Sequence, residues 1–283
     1  MSILSELEAT EKRDQLLHDG YCVIPGVLRG DLLNRLRAFS DELLDNLPAD
    51  PATQYQGSDF HVNSLRRQAR GDLHRPDTAL TSSLVDELVD LPEAWEACRL
   101  LGLEGQQPDD TMLILSKPAN GPALYWHQDF MEWNHPKACL PWPTRIFLSY
   151  YLVDTTKENG CLRAIPGTHL KRIPLHDVLP PAHGPEIQAA TPDHPAFQDH
   201  PDAVDLPVKA GDLVINDARL LHAAYANQSN QRRTLILQWH GVFPWPTVPS
   251  WWNKPKPKII EGANADIVTE VSRIPGEFLG VRE

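Results

Sequence analysis

The sequence predicts a mainly β protein, a sandwich or barrel of short strands with helices packed on one side. Three observations lead there. Helix-type apolar spacing is confined to roughly the first hundred residues. From residue 111 onward, β-branched and aromatic runs follow one another between turn signals. The 283 residues also include 26 prolines and 16 glycines, so the chain turns too often for a long helical bundle.

The elements follow in order. Residues 3–18 set Leu4, Leu7, Leu16 and Leu17 among charges, which predicts an amphipathic helix ended by Gly20. "YCVIPGVL" (21–28) reads as a strand. Residues 29–47 carry apolar side chains at helical spacing, with Asp31 as N-cap. Residues 48–82 are polar and broken and read as a long lid-like loop. Residues 83–103 read as helical again. Strands are then expected within 111–118, 123–130, 144–154, 160–166, 212–224 and 233–242. The Pro- and Trp-rich residues 243–258 suit neither a helix nor a central strand. They would cover the barrel mouth, form a dimer surface or fill packing space. The chain is read as one domain, with a helical part at 1–103, a β core at 104–243 and an extension at 244–283.

A net charge of −12 argues against nucleic acid or an anionic membrane as partner, and leaves a small-molecule substrate open. Cys22, Cys98, Cys139 and Cys161 form no C-x-x-C pair, so reduced thiols are expected. There is no run of 18 apolar residues, and residues 1–20 lack an apolar signal core, so a cytoplasmic protein is expected. Monomer and homodimer both remain open.

The chemistry concentrates in "YWHQDFMEW" (125–133). On a strand, His127 and Asp129 project from one face while Gln128 points away. His222, at the end of an apolar run about 95 residues later, is the best third ligand. Two imidazoles and a carboxylate on one side of a metal leave the opposite positions open, the arrangement of non-haem Fe(II) oxygenases. Arg233 lies eleven residues past His222 and opens the next strand, where a hairpin would return it to the metal. It shares a strand face with Leu235, Leu237 and Trp239, and an inward guanidinium needs an anion. A dicarboxylate such as 2-oxoglutarate fits. The bland alternative is a hydrogen-bonded pair on one strand, an unrelated histidine and a surface arginine.

From about residue 18 to 243 the chain resembles the phytanoyl-CoA dioxygenase-like Fe(II)/2-oxoglutarate oxygenases. "DGYCVIPGVL" resembles the family's opening strand and "WHQDF" its metal strand. "ENGCLRAIPGTHLKRIPLHD" (158–177) resembles the segment between the ligands. "HAAYANQSNQRR" resembles its H-x-x-x-x-N-x-S-x-x-x-R pattern, with His222, Asn227, Ser229 and Arg233 in place. The resemblance implies a double-stranded β-helix, the cupin-like jelly roll, flanked by helices. It implies Fe(II) on His127, Asp129 and His222, 2-oxoglutarate held by Arg233, and O2 as the oxidant. Lys117 and Ser149 would line the same cavity as co-substrate contacts, and Phe130, Trp133, Asn63 and Arg66 would meet the substrate. Where some members carry a hydroxyl two residues after the distal histidine, this chain has Ala224. Related halogenases lack the carboxylate, so Asp129 favours hydroxylation of an unactivated C–H, with release of succinate and CO2. An ectoine-like amino acid and an acyl-CoA are alternative substrates. A non-catalytic or differently metallated jelly-roll binding protein is the alternative function. The remaining histidines, His183 among them, read as surface or structural.

Overall fold

The computed structural model describes residues 3–46, 54–55, 58–61, 83–133 and 135–261. Two helices and a strand open the chain: α1 (Glu6–Asp19), β1 (Tyr21–Ile24) and α2 (Gly30–Asp45). Ser5 caps α1 in a reciprocal box with Glu8, and Gly20 closes it in the left-handed region at φ 87°. Asp31 lies in the first turn of α2, whereas the N-cap is Arg29. The expected loop at 48–82 contributes two short strands, β2 (Gln54–Tyr55) and β3 (Ser58–His61), to a sheet edge. Asn63 and Arg66 lie outside the described residues. The helical stretch near 83–103 is two helices, α3 (Ser83–Val89) and α4 (Pro92–Leu100).

The β core follows: β4 (Gln107–Lys117), β5 (Leu124–His127), β6 (Arg145–Tyr151), β7 (Leu162–Ala164), β8 (Val204–Leu206), β9 (Leu213–Asp217), β10 (His222–Ala224) and β11 (Arg233–Gly241). Two one-turn helices complete the set, α5 (Pro185–Gln188) and α6 (Lys258–Glu261). The strands form a seven-stranded sheet in the order β1-β9-β6-β11-β4-β3-β2 and a four-stranded sheet in the order β5-β10-β7-β8. All pairings are antiparallel, and the pair of sheets is the jelly roll.

Alternation along the large sheet builds two cores. Met112, Ile114, Ile146, Leu148, Tyr150, Leu213, Ile215 and Ile236 face the helices. Leu113, Leu115, Phe147, Tyr151, Val214, Leu235 and Leu237 face the small sheet. Burial on both faces explains why these strands read as continuous apolar runs. Trp245, Trp251 and Trp252 pack on the helical core rather than over the barrel mouth. Arg13 lies 5.2 Å from the Trp251 ring, whose indole N–H donates to Gly102 O at 2.9 Å. No helix among the described residues is long and apolar enough to cross a membrane.

One expected strand, 212–224, is two. β9 stays in the large sheet, the chain turns at 218–221, and β10 enters the small sheet. Arg219 fixes that corner. It is fully buried, pairs with Asp217 at 2.6 Å, and donates to the carbonyls of Ala138, Leu140 and Trp142. The segment from β10 to β11 therefore crosses between the sheets and is not a hairpin.

Candidate metal centre and co-substrate cavity

His127 and His222 are direct cross-strand partners of β5 and β10, with ring centroids 4.2 Å apart. Asp129 does not share the strand face of His127, because β5 ends at His127. It lies in the turn beyond, where its backbone N–H donates to Ala218 O at 2.9 Å. That turn returns the carboxylate to the imidazoles. Asp129 Oδ1 is 3.6 Å from His127 Nε2, and Oδ2 is 3.6 Å from His222 Nε2.

Hydrogen bonds set the tautomers. A carbonyl only accepts, so His127 Nδ1–H donates to Tyr125 O at 2.8 Å and His222 Nδ1–H donates to Leu220 O at 3.0 Å. Both Nε2 lone pairs then face the carboxylate, the usual preparation of a metal-binding imidazole. Burial, with His222 beside it, holds His127 well below the usual histidine range. Burial alone would raise the Asp129 carboxyl. A hydrogen bond from His183, with the imidazoles of His127 and His222 close by, outweighs it and keeps Asp129 ionised.

His183 was not expected here. Donor atoms of His127, Asp129 and His183 lie within 4.8 Å of one another. Its tautomer decides against ligation. His183 Nε2 is 2.9 Å from Asp129 Oδ1, and an ionised carboxylate only accepts, so Nε2 carries the proton. Nδ1 then accepts from the Tyr125 hydroxyl at 2.9 Å, while the His183 backbone N–H donates to that same oxygen at 3.0 Å. The Nε2 lone pairs belong to His127 and His222. His183 stands in a turn at φ 60°, which costs a non-glycine residue about 1–2 kcal/mol. No spacing rule reaches it; a histidine between prolines and a glycine is only a turn signal.

A cavity of about 670 Å³ opens from this cluster. Alternate residues of three strands of the large sheet make one wall: Leu113, Leu115 and Lys117 of β4; Arg145, Phe147, Ser149 and Tyr151 of β6; and Arg233, Leu235, Leu237 and Trp239 of β11. Lys117 and Arg233 are opposite one another in the β4–β11 register, and both are buried. Burial lowers each, with Arg233 adding to the effect on Lys117, and no carboxylate among the described residues offsets it. Lys117 Nζ donates to Pro122 O at 2.6 Å, and Arg233 Nε has no partner. Two adjacent buried cations, with no anion beside them among the described residues, could accept a carboxylate.

Ser149 lines the cavity opposite Leu237. Tyr151, opposite Leu235, is nearer to Arg233 by register, and burial pushes its hydroxyl up to about 12. Ala224 also lines the wall. Phe130 and Trp133 do not line it. They stack edge to face at 4.9 Å within the inner core, and Met131 and Glu132 reach the cavity instead, because the chain has left strand geometry. His169 donates Nε2–H to Leu17 O at 3.1 Å, and His176 Nδ1 bonds within its own turn, so both are structural.

The fold is that of solved 2-oxoglutarate-dependent non-haem oxygenases, and the cluster offers two imidazoles and a carboxylate to a metal. Residues 16–235 match the family model described as phytanoyl-CoA dioxygenase (PhyH), and the chain belongs to that family. Ectoine dioxygenase of Sphingopyxis alaskensis is 24% identical over 268 residues, 91% of this chain and 84% of that protein. Phytanoyl-CoA dioxygenase 1 of Oryza sativa subsp. japonica is 37% identical over 124 residues, 42% of this chain; the match spans only 39% of the rice protein. Among solved structures, the epimerase SnoN from nogalamycin biosynthesis superposes with a TM-score of 0.61 at 20% identity, covering 85% of each chain. EctD from S. alaskensis, solved with 2-oxoglutarate and 5-hydroxyectoine, gives 0.53 at 20% identity, covering 97% of this chain and 89% of that one.

Proposed function

We propose that the chain is an Fe(II)/2-oxoglutarate-dependent dioxygenase that hydroxylates an unactivated C–H of a small molecule, releasing succinate and CO2. One observation carries the reading: two imidazoles with unprotonated Nε2 atoms and an ionised carboxylate share a cavity with a cation pair that has no anion among the described residues. His127, Asp129 and His222 would hold the iron, and bound iron would supply the oxidising chemistry with O2. Arg233 and Lys117 would bind the distal carboxylate of 2-oxoglutarate, with Tyr151 or Ser149 as the neighbouring hydroxyl. The apolar wall of Leu113, Phe147, Leu237 and Trp239 would orient the substrate and exclude water.

The mouth favours a compact substrate with an apolar face. Among the described residues the cations beside it are already paired, Arg145 with Asp109 and Lys137 with Glu132, which leaves little for the phosphates of an acyl-CoA. An ectoine-like amino acid is the second reading, supported by the relative in S. alaskensis. Among the described residues, Cys22, Cys98 and Cys161 are free thiols, which suits a cytoplasmic setting.

The test is anaerobic addition of Fe(II) and 2-oxoglutarate to metal-free protein. A weak visible charge-transfer band is expected, lost in Asp129→Ala and weakened in Arg233→Ala. A folded, iron-binding wild type without the band would refute the co-substrate assignment.

A further inference from the structure

We infer that His183, set by Tyr125, is the positioning residue for the metal-binding carboxylate of Asp129. The inference rests on the metal site proposed above. An aspartate on a metal can turn about its terminal torsion and present one oxygen, the other or both. Something must choose. Here Oδ1 accepts a hydrogen bond from His183 Nε2–H at 2.9 Å, which leaves Oδ2 the less occupied oxygen, 3.6 Å from His222 Nε2.

The choice is itself fixed one step further out. Tyr125 is buried and precedes His127 on β5 by two residues. Its hydroxyl takes the His183 backbone N–H and gives its own proton to His183 Nδ1, so Nε2 must carry a proton. The carbonyl of the same residue holds Nδ1–H of His127, so Nε2 there must not. Tyr125 thus sets opposite tautomers on two histidines whose rings meet edge to face at 4.9 Å. One becomes a donor to the carboxylate and the other keeps its lone pair. The turn around His183 runs from Pro181, whose carbonyl accepts from Gly184 N–H at 3.2 Å, and brings the imidazole to the cavity rim.

Cobalt(II) titration of the metal-free protein tests this, because Co(II) absorption reports ligand number and geometry. The variants are His183→Phe, His183→Gln, Tyr125→Phe and His222→Ala. His183→Phe should bind Co(II) roughly 10- to 100-fold more weakly, at the same one-to-one stoichiometry and with a shifted spectrum. His183→Gln can still donate an N–H to Oδ1 and should return to within a few-fold of wild type. Tyr125→Phe should fall between them, and His222→Ala should lose the site.

Three results would overturn the inference. His183→Phe could match wild type in affinity and spectrum. It could lose cobalt as fully as His222→Ala, which would make His183 a ligand. Or glutamine could fail to rescue, which would leave a merely structural role. If His183→Phe does not fold, judged by circular dichroism, the glutamine and Tyr125→Phe variants decide between the same outcomes. A wild type that takes up no cobalt would remove the metal site and this inference with it, whereas a normal wild type beside an unaffected His183→Phe would remove this inference alone.

Discussion

Lys117 and Arg233 face each other across a ladder with no anion between them among the described residues, and their removal should have opposite effects on binding and stability. Arg233→Ala removes charge-assisted hydrogen bonds of about 1.5–3 kcal/mol. The dissociation constant for 2-oxoglutarate should rise roughly 10- to 150-fold in calorimetry with the metal-loaded protein. Lys117→Met should also weaken 2-oxoglutarate, yet the ligand-free protein should melt at a higher temperature. The sign follows from burial: the folded chain disfavours the Lys117 proton that the unfolded chain keeps, so the charge opposes folding until an anion arrives. A lower melting temperature would count against an unpaired cation. At this scale much of the candidate site was legible. His127, Asp129, His222 and Arg233 announce themselves by spacing, and the structure brings them to one cavity. His183 could not be read, because the fold alone sets it against Asp129, 54 positions away.

Among the elements, the 218–221 corner holds the two sheets in register. Arg219 and Asp217 are both buried, so removing one leaves the other's charge without its partner. Arg219→Met should cost about 3–5 kcal/mol in urea unfolding. Pairing it with Asp217→Asn should recover part of the loss, and strict additivity of the two changes would contradict the pair. Metal affinity should fall too, since the Arg219 carbonyl accepts from Gln128 and the neighbouring Ala218 carbonyl holds Asp129 N–H. The long strands were readable because burial on both faces gives each a continuous apolar stretch, 112–115 in β4 and 235–237 in β11. The corner was not, because the polar Asn216, Asp217 and Arg219 between two apolar stretches suit a turn or a continuing strand equally. Strands β2, β3 and β8 are only two to four residues long, too short to carry a pattern, and their pairing comes from the sheet edges they meet.

Over the whole molecule, neutral buried histidines make stability depend on acid. His240 is the clearest case. Gln106 donates to its Nδ1 at 2.8 Å, and its Nε2–H donates to Gln238 at 3.0 Å, so a second ring proton would meet a donor. Burial, with Arg145 nearby, lowers it from the ordinary 6.5 to about 3. His169 and His176 shift the same way through burial. The unfolded chain therefore binds protons below about pH 6.5 that the folded chain refuses. Stability should be fully present above that pH and fall as pH drops from about 6.5 toward 3. The slope of the urea midpoint against pH over that window should flatten in His240→Gln; an unchanged slope would reassign the acid sensitivity.

The two ends of the cavity belong to different sheets. His127 and His222 come from the four-stranded sheet, and Lys117 and Arg233 from the seven-stranded one. A metal-bound dicarboxylate reaching from one end to the other would act as a rivet through the sandwich. Such a rivet resists the sheets moving apart, so its binding energy should reach beyond the strands that anchor its ends. Amide hydrogen exchange in β7, which pairs with β10, and in β6, which pairs with β11, should slow when metal and 2-oxoglutarate are added together. Metal alone, held by one sheet's end, should slow the first far more than the second.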